Sequence, residues 1–162
     1  MDSFFSIFNK QCVATLSGKS GSGKSTLARE ITQNNKGIIY ISNKSMIFEG
    51  GLVDNIVLDR IVEKNRLEKI ITILKLTKFK NLSDISQILS TGEQQRVVLA
   101  RGLLSQVNHI LFDELTTGFE ETISNRLIKF LLENKFNYTL FITHQKNIID
   151  YVGNNYDISK FQ

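Results

Sequence analysis

The chain contains the stretch Gly18-Lys19-Ser20-Gly21-Ser22-Gly23-Lys24-Ser25-Thr26, which satisfies every position of the pattern G-x-x-x-x-G-K-[ST]. An apolar run, Cys12–Ser17, precedes this stretch, and a helical pattern over Lys24–Thr32 follows it. Glycines in such a loop let consecutive backbone N–H groups point at one anion, and the N-terminus of the following helix adds a partial positive charge. A flexible Gly/Ser-rich turn is the alternative interpretation, but the flanking strand and helix argue against it. The stretch therefore predicts a site for the phosphates of a nucleoside triphosphate.

The residue types in this loop also predict how the phosphates and a metal ion would be held. The ammonium of Lys24 would reach the β- and γ-phosphates, and the hydroxyl of Ser25 would coordinate Mg²⁺. The residues expected to bind the nucleotide are Gly18, Ser20, Gly21, Ser22, Gly23, Lys24, Ser25 and Thr26.

Outside the loop, short apolar runs alternate with helical patterns, which is typical of a parallel α/β sheet. The predicted strands are Cys12–Ser17, Gly37–Ser42, His109–Asp113 and Thr139–Thr143; the predicted helices are Lys24–Thr32, Glu63–Lys75, Gly92–Leu104 and Glu120–Leu132. From Asn55 to Leu89 the pattern is helical and contains no strand. We therefore expect one domain over residues 1–162, with a small helical insert at about 55–90.

The composition excludes some classes of protein but does not identify a function. Of the 162 residues, 41% are hydrophobic and 22% are charged, which is ordinary for a globular protein. No run approaches the ~18 apolar residues of a membrane span, and the single cysteine, Cys12, cannot form an internal disulfide. The net charge of +4 favours anionic partners only weakly, and nucleotide phosphate, RNA or a membrane face would all fit it.

Two further apolar runs end in residues that could act on a phosphate. The run Ile110–Phe112 ends in Asp113 and Glu114, and the run Leu140–Thr143 is followed by His144. Beside a phosphate loop, Asp113 could hold Mg²⁺ and Glu114 could act as the general base on the attacking water. His144 could bond to the γ-phosphate, although a surface or capping histidine is the alternative interpretation.

The segment Leu89-Ser90-Thr91-Gly92-Glu93-Gln94-Gln95-Arg96 lies between these sites and leads into a helical pattern. Together with the phosphate loop, the Asp113–Glu114 pair and His144, in that order, it resembles the nucleotide-binding domain of ABC-type ATPases. The resemblance extends from Cys12 to about Asp150. It implies a P-loop NTPase core with a mostly parallel sheet, and it implies ATP and Mg²⁺ as cofactors.

The resemblance also implies partners. Ser90 and the backbone N–H of Gly92 match the positions that bind the γ-phosphate held by a second subunit, which implies a dimer with two ATP molecules between subunits. That second subunit would be another copy of this chain or a related ATPase. Glu120 occupies the place of an aspartate that usually crosses this interface. The stretch from Phe48 to Ile56 resembles the part of exporter-type members that contacts a transmembrane subunit.

Several positions depart from the pattern of the family. Asn43 aligns with a glutamine that acts in catalysis, and it is one methylene shorter. Thr91 and Glu93 replace a glycine and a glutamine, and Glu93 would place a negative charge near the phosphates held by the partner. Leu115 replaces the proline that usually follows the catalytic glutamate.

The chain is also short for the family. Seventeen residues precede Gly18, and between Lys24 and Asn43 it runs from a helix directly to a strand. We therefore expect the antiparallel β subdomain to be reduced or missing. If Gly37–Ser42 were instead part of that subdomain's hairpin, Asn43 would be misaligned.

From these features we expect the ATP-binding and ATP-hydrolysing subunit of an ABC transporter, and the resemblance favours an exporter. Such a subunit would lie in the cytoplasm, at the inner face of the membrane, through its transmembrane partner. The alternative is a nucleotide-dependent interaction module with little or no hydrolysis. An ATPase that acts on nucleic acid or ribosomes ranks last, because the helical insert is too short for a coiled coil, and we expect no direct nucleic-acid contact.

Overall fold

A parallel five-stranded sheet forms the centre of the molecule in the computed structural model, which describes residues 13–42, 44, 46–114, 119–134 and 138–160. The strands are β1 (Val13–Ser17), β2 (Ile38–Ser42), β3 (His109–Asp113), β4 (Tyr138–Ile142) and β5 (Asn155–Asp157). Their order across the sheet is β2-β3-β4-β1-β5, and each neighbouring pair is parallel. The predicted parallel α/β class is confirmed, and no antiparallel pair occurs among the described strands.

Six α-helices accompany the sheet in the described part of the chain. They are α1 (Lys24–Gln33), α2 (Leu52–Val57), α3 (Lys64–Ile73), α4 (Thr91–Leu103), α5 (Glu121–Asn134) and α6 (Lys146–Val152). Single 3₁₀ turns follow at Thr77–Phe79 and Ile158–Lys160. The four predicted helices are present with ends shifted by one or two residues, whereas α2, α6 and β5 were not predicted.

The pairing of β2 decides between the two interpretations of its sequence. Ile38 to Ser42 pair in parallel with His109 to Asp113, so β2 is a strand of the core sheet next to β3. The alternative, that this segment belongs to an antiparallel hairpin, is wrong. Asn43, which follows β2, lies outside the described residues.

Both faces of the sheet are buried, as expected for parallel strands covered by helices. On one face Val13, Ile110, Phe112 and Phe141 join a large cluster with residues of α2 to α6. The opposite face has a smaller cluster that includes Leu16, Leu111 and Leu140, together with Ala28 and Ile31 of α1. Because consecutive residues of β1 to β4 alternate between the two clusters, the register of these strands is fixed from both sides.

Helix α4 lies close to the sheet at Gly102. A Cβ atom at this position would lie 2.8 Å from Cε1 of Phe112 and would also collide with the side chain of Ile41. The missing side chain therefore lets the backbone of α4 approach β2 and β3. This close approach fixes the helix whose N-terminus carries Ser90.

Residues 46–90 contain α2, α3 and a 3₁₀ turn but no strand, in agreement with the helical pattern of the sequence. Arg101 of α4 donates to the carbonyl oxygens of Asn55 at 2.9 Å and Met46 at 3.1 Å. Arg60 donates in turn to the carbonyl of Arg101 at 3.1 Å. Charged donors on backbone carbonyls thus join this helical region to α4.

Candidate nucleotide-binding site

The largest group of predicted site residues lines one cavity of about 270 Å³ at the carboxyl ends of the strands. Its walls are Ser20, Gly21, Ser22, Gly23, Lys24, Ser25, Thr26, Glu114 and His144. These residues follow β1, β3 and β4, which are neighbours in the sheet, so the parallel order brings three separate loops to one edge. The fold therefore places the predicted phosphate loop, base and histidine around one volume.

The phosphate loop curls because its glycines adopt backbone angles that other residues avoid. Gly18 has a φ of 146°, and Gly21 and Gly23 have φ values of 76° and 84°. A Cβ atom on Gly18 would lie 2.5 Å from Cγ2 of Ile158, so the position excludes a side chain for steric reasons as well. Gly18 itself does not line the cavity, and it forms the turn that starts the loop.

The side chain of Lys24 lies inside the phosphate loop. Its side chain is 6% exposed, and its ammonium donates to the carbonyl oxygens of Gly18 and Lys19, each at 2.9 Å. An ammonium has three N–H donors, so two of them hold the loop together and a third remains for a phosphate oxygen.

Glu114 and His144 face each other across the cavity. Oε1 of Glu114 lies 3.7 Å from Nε2 of His144, and both side chains are about half exposed. Glu114 has a φ of 54°, in the left-handed region, and its N–H donates to the carbonyl of Ile142 at 3.0 Å. This hydrogen bond to β4 stabilises the left-handed backbone conformation of Glu114, and its side chain lines the cavity.

Asp113, at the end of β3, differs from Glu114 because it is 7% exposed and has a fixed partner. The hydroxyl of Tyr40 donates a short hydrogen bond to Oδ2 of Asp113. Burial and this hydrogen bond raise the pKa of Tyr40. Oδ1 of Asp113 is buried and accepts no hydrogen bond from the described residues.

The donor set at this edge of the sheet suits Mg²⁺. Burying a carboxylate oxygen without a hydrogen-bond partner costs free energy unless a cation, or a water molecule bound to that cation, contacts the oxygen. Oδ1 of Asp113 and the hydroxyl of Ser25 are both hard oxygen donors, and Mg²⁺ usually binds through one or two protein oxygens plus substrate phosphates. Ser25 and Asp113 therefore fit the predicted metal role.

Ser90 and Gly92 lie elsewhere, at the N-terminus of α4. Ser90 is the N-cap of this helix, and its hydroxyl accepts a hydrogen bond from the backbone N–H of Glu93. It also donates to Oε2 of Glu93 at 2.7 Å. Neither Ser90 nor Gly92 lines the cavity that holds the phosphate loop.

The negative charge of Glu93 is compensated within the chain. Its carboxylate accepts from the backbone N–H of Ser90 at 2.9 Å and lies 2.7 Å from the ammonium of Lys78. Burial opposes ionisation, but the hydrogen bonds from Lys78 and Ser90 outweigh it and lower the pKa of Glu93 to about 2. Lys78 was not identified from the sequence, because only the tertiary fold brings it to this helix.

Glu120, named from the sequence as an interface residue, does not line the cavity. Glu120 forms an exposed ion pair with Lys75 at 2.6 Å. Three residues named from the sequence lie outside the described ranges, namely Cys12, Asn43 and Leu115. Sequence reasoning missed Tyr40, and its only signal was a polar tip on a strand next to the one that ends in Asp113.

The phosphate loop, the acidic end of β3 and the parallel sheet together define a nucleotide-binding protein of the P-loop class. The family model described as "ABC transporter" matches residues 3–117. The chain belongs to the ABC transporter family, as the resemblance predicted.

Relatives with known names agree with this family. The chain is 28% identical over 177 aligned residues to the lactococcin-G-processing and transport ATP-binding protein LagD of Lactococcus lactis subsp. lactis, covering 88% of this chain and 25% of that protein. It is 34% identical over 130 residues to the zinc import ATP-binding protein ZnuC of Buchnera aphidicola subsp. Schizaphis graminum, covering 72% of this chain and 54% of that protein. The first alignment is longer than the 162-residue chain, so LagD has internal segments without a counterpart here.

A solved structure agrees with the fold. A bacterial Atm1-family ABC exporter with ATP bound matches with a TM-score of 0.71 and 19% identity, covering 85% of this chain and 30% of that chain. This chain thus spans between about a quarter and about half of the proteins named here. No helix in the described part of the chain is long and apolar enough to cross a membrane.

Proposed function

We propose that this chain binds and hydrolyses ATP and thereby energises a transmembrane transporter subunit. The observation that carries the proposal is the single cavity in which the phosphate loop, Glu114 and His144 meet. A P-loop fold alone would suit many nucleotide-binding proteins, so the argument rests on this arrangement of side chains.

Each group in the cavity has a role that its chemistry supports. Lys24 and the loop N–H groups neutralise and orient the β- and γ-phosphates. Ser25 and Asp113 would hold Mg²⁺, which supplies positive charge next to the phosphate oxygens. The half-exposed carboxylate of Glu114 can accept the proton of a water molecule as that water attacks the γ-phosphorus.

His144 completes this group as a donor towards the γ-phosphate. Its Nε2 atom is 3.7 Å from the Glu114 carboxylate, so one water molecule can lie within reach of both. We also include Asn43 in the catalytic set on the basis of the family resemblance, since in the sequence it directly follows Ser42, which pairs in register with Asp113.

The partners in this proposal are a second ATPase subunit and a membrane protein. Ser90 and Gly92 would bind the γ-phosphate of the second subunit. The stretch from Phe48 to Ile56 would contact the membrane protein, and Phe48 within it is half exposed. This arrangement would hold the chain at the cytoplasmic face of the membrane through its partner.

The test is Mg·ATP hydrolysis by the purified chain and by Glu114→Gln, with nucleotide affinity measured in parallel. Because Gln keeps the shape of the side chain but cannot accept the proton, we expect turnover to fall by about 10²- to 10⁴-fold while ATP still binds. Glu133→Gln is the matched control, since Glu133 is exposed on α5 and pairs only weakly with Lys129 at 3.8 Å.

Unchanged turnover in Glu114→Gln would contradict the proposed role of this carboxylate. Nucleotide binding without turnover in the wild-type chain, both alone and with a transmembrane partner, would instead support the alternative of a non-hydrolysing interaction module.

A further inference from the structure

Tyr40 contacts the carboxylate that the proposed function assigns to Mg²⁺. Tyr40 lies on β2, two residues before Ser42, which pairs in register with Asp113 on β3. Its ring packs against the smaller core cluster, and its hydroxyl donates to Oδ2 of Asp113 across the two strands. The contact thus joins residues 73 positions apart in the sequence.

This hydrogen bond makes the two oxygens of Asp113 unequal. Oδ2 is bonded to the hydroxyl, whereas Oδ1 is buried without a hydrogen-bond partner among the described residues. A carboxylate that is held at one oxygen cannot rotate freely, so the direction of its other oxygen is also set. That oxygen is the one left to accept from a metal-bound water or to bind the metal itself.

A second contact extends this arrangement to the phosphate-loop helix. The guanidinium of Arg29, on α1, lies 5.6 Å from the centre of the Tyr40 ring, within cation–π range. Helix α1 begins with Lys24 and Ser25, the residues assigned to the phosphates and the metal. Arg29 and Tyr40 therefore connect the helix that carries Ser25 to the strand that carries Asp113.

We propose that Tyr40 is a positioning residue for Asp113, and that its hydroxyl sets the affinity of the site for the divalent cation. The proposal rests on the proposed function, because it gives the metal role to Asp113. Residues that hydrogen-bond to a metal-binding group and orient it typically contribute roughly 10- to 100-fold to metal affinity. We therefore expect a loss of about 10- to 100-fold in metal affinity when the hydroxyl is removed.

The experiment is a Mn²⁺ titration of the nucleotide-loaded chain, followed by electron paramagnetic resonance, on wild type and Tyr40→Phe. The expected result is at least a ~10-fold weaker Mn²⁺ affinity in Tyr40→Phe, with nucleotide affinity in EDTA within about twofold of wild type. Tyr138→Phe is the matched control, because Tyr138 is at the opposite end of the sheet on β4 and should leave both affinities unchanged.

A second pair of variants tests the same point at constant side-chain volume. p-Aminophenylalanine at position 40 retains a hydrogen-bond donor, whereas p-methylphenylalanine fills the space without donating. The first should restore the Mn²⁺ affinity and the second should not. If Tyr40→Phe lacks a cooperative unfolding transition and so does not fold, the comparison of these two variants replaces it as the test.

Equal Mn²⁺ affinities in wild type and Tyr40→Phe, or in the two unnatural variants, would overturn the positioning role while leaving the ATPase proposal intact. A wild-type chain that binds Mn²⁺ and nucleotide but shows no turnover, both alone and with a transmembrane partner, would overturn hydrolysis but not the role of Tyr40. Failure of the loaded wild-type chain to bind Mn²⁺ would overturn both.

Discussion

The ammonium group of Lys24 has a role in the fold and another in the proposed function. It bonds to the carbonyls of Gly18 and Lys19 and so joins the two ends of the loop. Because these carbonyls belong to the loop, the loop itself holds the cation at the position where the proposed function requires it. Little reorganisation of the loop is then needed for binding.

Replacing Lys24 with Ala should therefore weaken nucleotide binding. A hydrogen bond from a charged group contributes about 1.5–3 kcal/mol, which corresponds to roughly a 10- to 100-fold loss of affinity. The measurement is calorimetric titration with Mg·ATP. Lys19→Ala is the control, since Lys19 is in the same loop but its side chain is exposed. Equal losses in the two variants would show that general positive charge, rather than the placement of Lys24, binds the phosphates.

At the scale of secondary-structure elements, the N-terminus of α4 combines a capping box with an ion pair. Ser90 and Glu93 satisfy each other's backbone N–H groups, and Lys78 neutralises the Glu93 carboxylate from outside the helix. The negative charge of Glu93 is thus paired within its own chain. It therefore does not cancel the partial positive charge that the N–H groups at the start of α4 offer to an anion.

Glu93→Gln should destabilise the chain at neutral pH by about 1 kcal/mol, because the neutral amide loses the ion pair and weakens the cap. A change of this size shifts the melting temperature by roughly 2–4 °C in a chain of this length. Lys129→Gln, which removes an exposed charge from α5, is the control and should shift it by less.

The ion pair between Lys78 and Glu93 also predicts a dependence of stability on pH. The folded chain holds the pKa of Glu93 at about 2, below its usual value of 4.5. Its stabilising contribution is therefore complete above pH 4.5 and is lost as the pH falls from there towards 2. The difference in unfolding free energy between wild type and Glu93→Gln should shrink between pH 7 and pH 3. A constant difference would show that the ion pair does not form in solution.

At the scale of the whole molecule, the cavity and the α4 N-terminus are separate surfaces of one subunit. The cavity holds the phosphate loop and Glu114, while Ser90 and Gly92 lie outside it. Two copies arranged head to tail would place each α4 N-terminus opposite the other's cavity. In addition, β2 and β5 are the outer strands of the described sheet, and outer strands favour association with further chains.

We therefore expect ATP-dependent dimerisation of the hydrolysis-deficient variant. Glu114→Gln should double its mass from 18.5 kDa in Mg·ATP and return to a monomer in Mg·ADP, as measured by light scattering after size exclusion. Adding Gly92→Asp should prevent the dimer through charge repulsion, since the structure leaves room for a side chain there.

Gly37→Asp is the matched control for this experiment. Gly37 also has open space for a side chain, but it precedes β2 at the opposite end of the sheet from the cavity. Dimers that persist with Gly92→Asp, or a monomer under every condition, would contradict the head-to-tail arrangement.

Local sequence patterns were sufficient to predict the phosphate loop and, within the described part of the chain, four of the five strands and four of the six helices. These features depend on residues that are close in the chain, such as the glycines of the loop and the apolar run of β3. Strand β5 has no such pattern, because Tyr156 is its one hydrophobic residue, and Asn155 to Asp157 form a strand only by pairing with β1. The short helix α6 was missed for a similar reason, since its two buried residues, Ile148 and Val152, give a weak pattern.

The sequence by itself determined the class of this protein and the residue types at its site, because the phosphate loop and the acidic end of β3 are contiguous motifs. Only the tertiary structure showed that Tyr40 bonds to Asp113, that Lys78 neutralises Glu93, and that His144 faces Glu114. The physical reason is that these contacts join residues far apart in the chain. They exist because the parallel order of the strands and the packing of α4 bring those residues together.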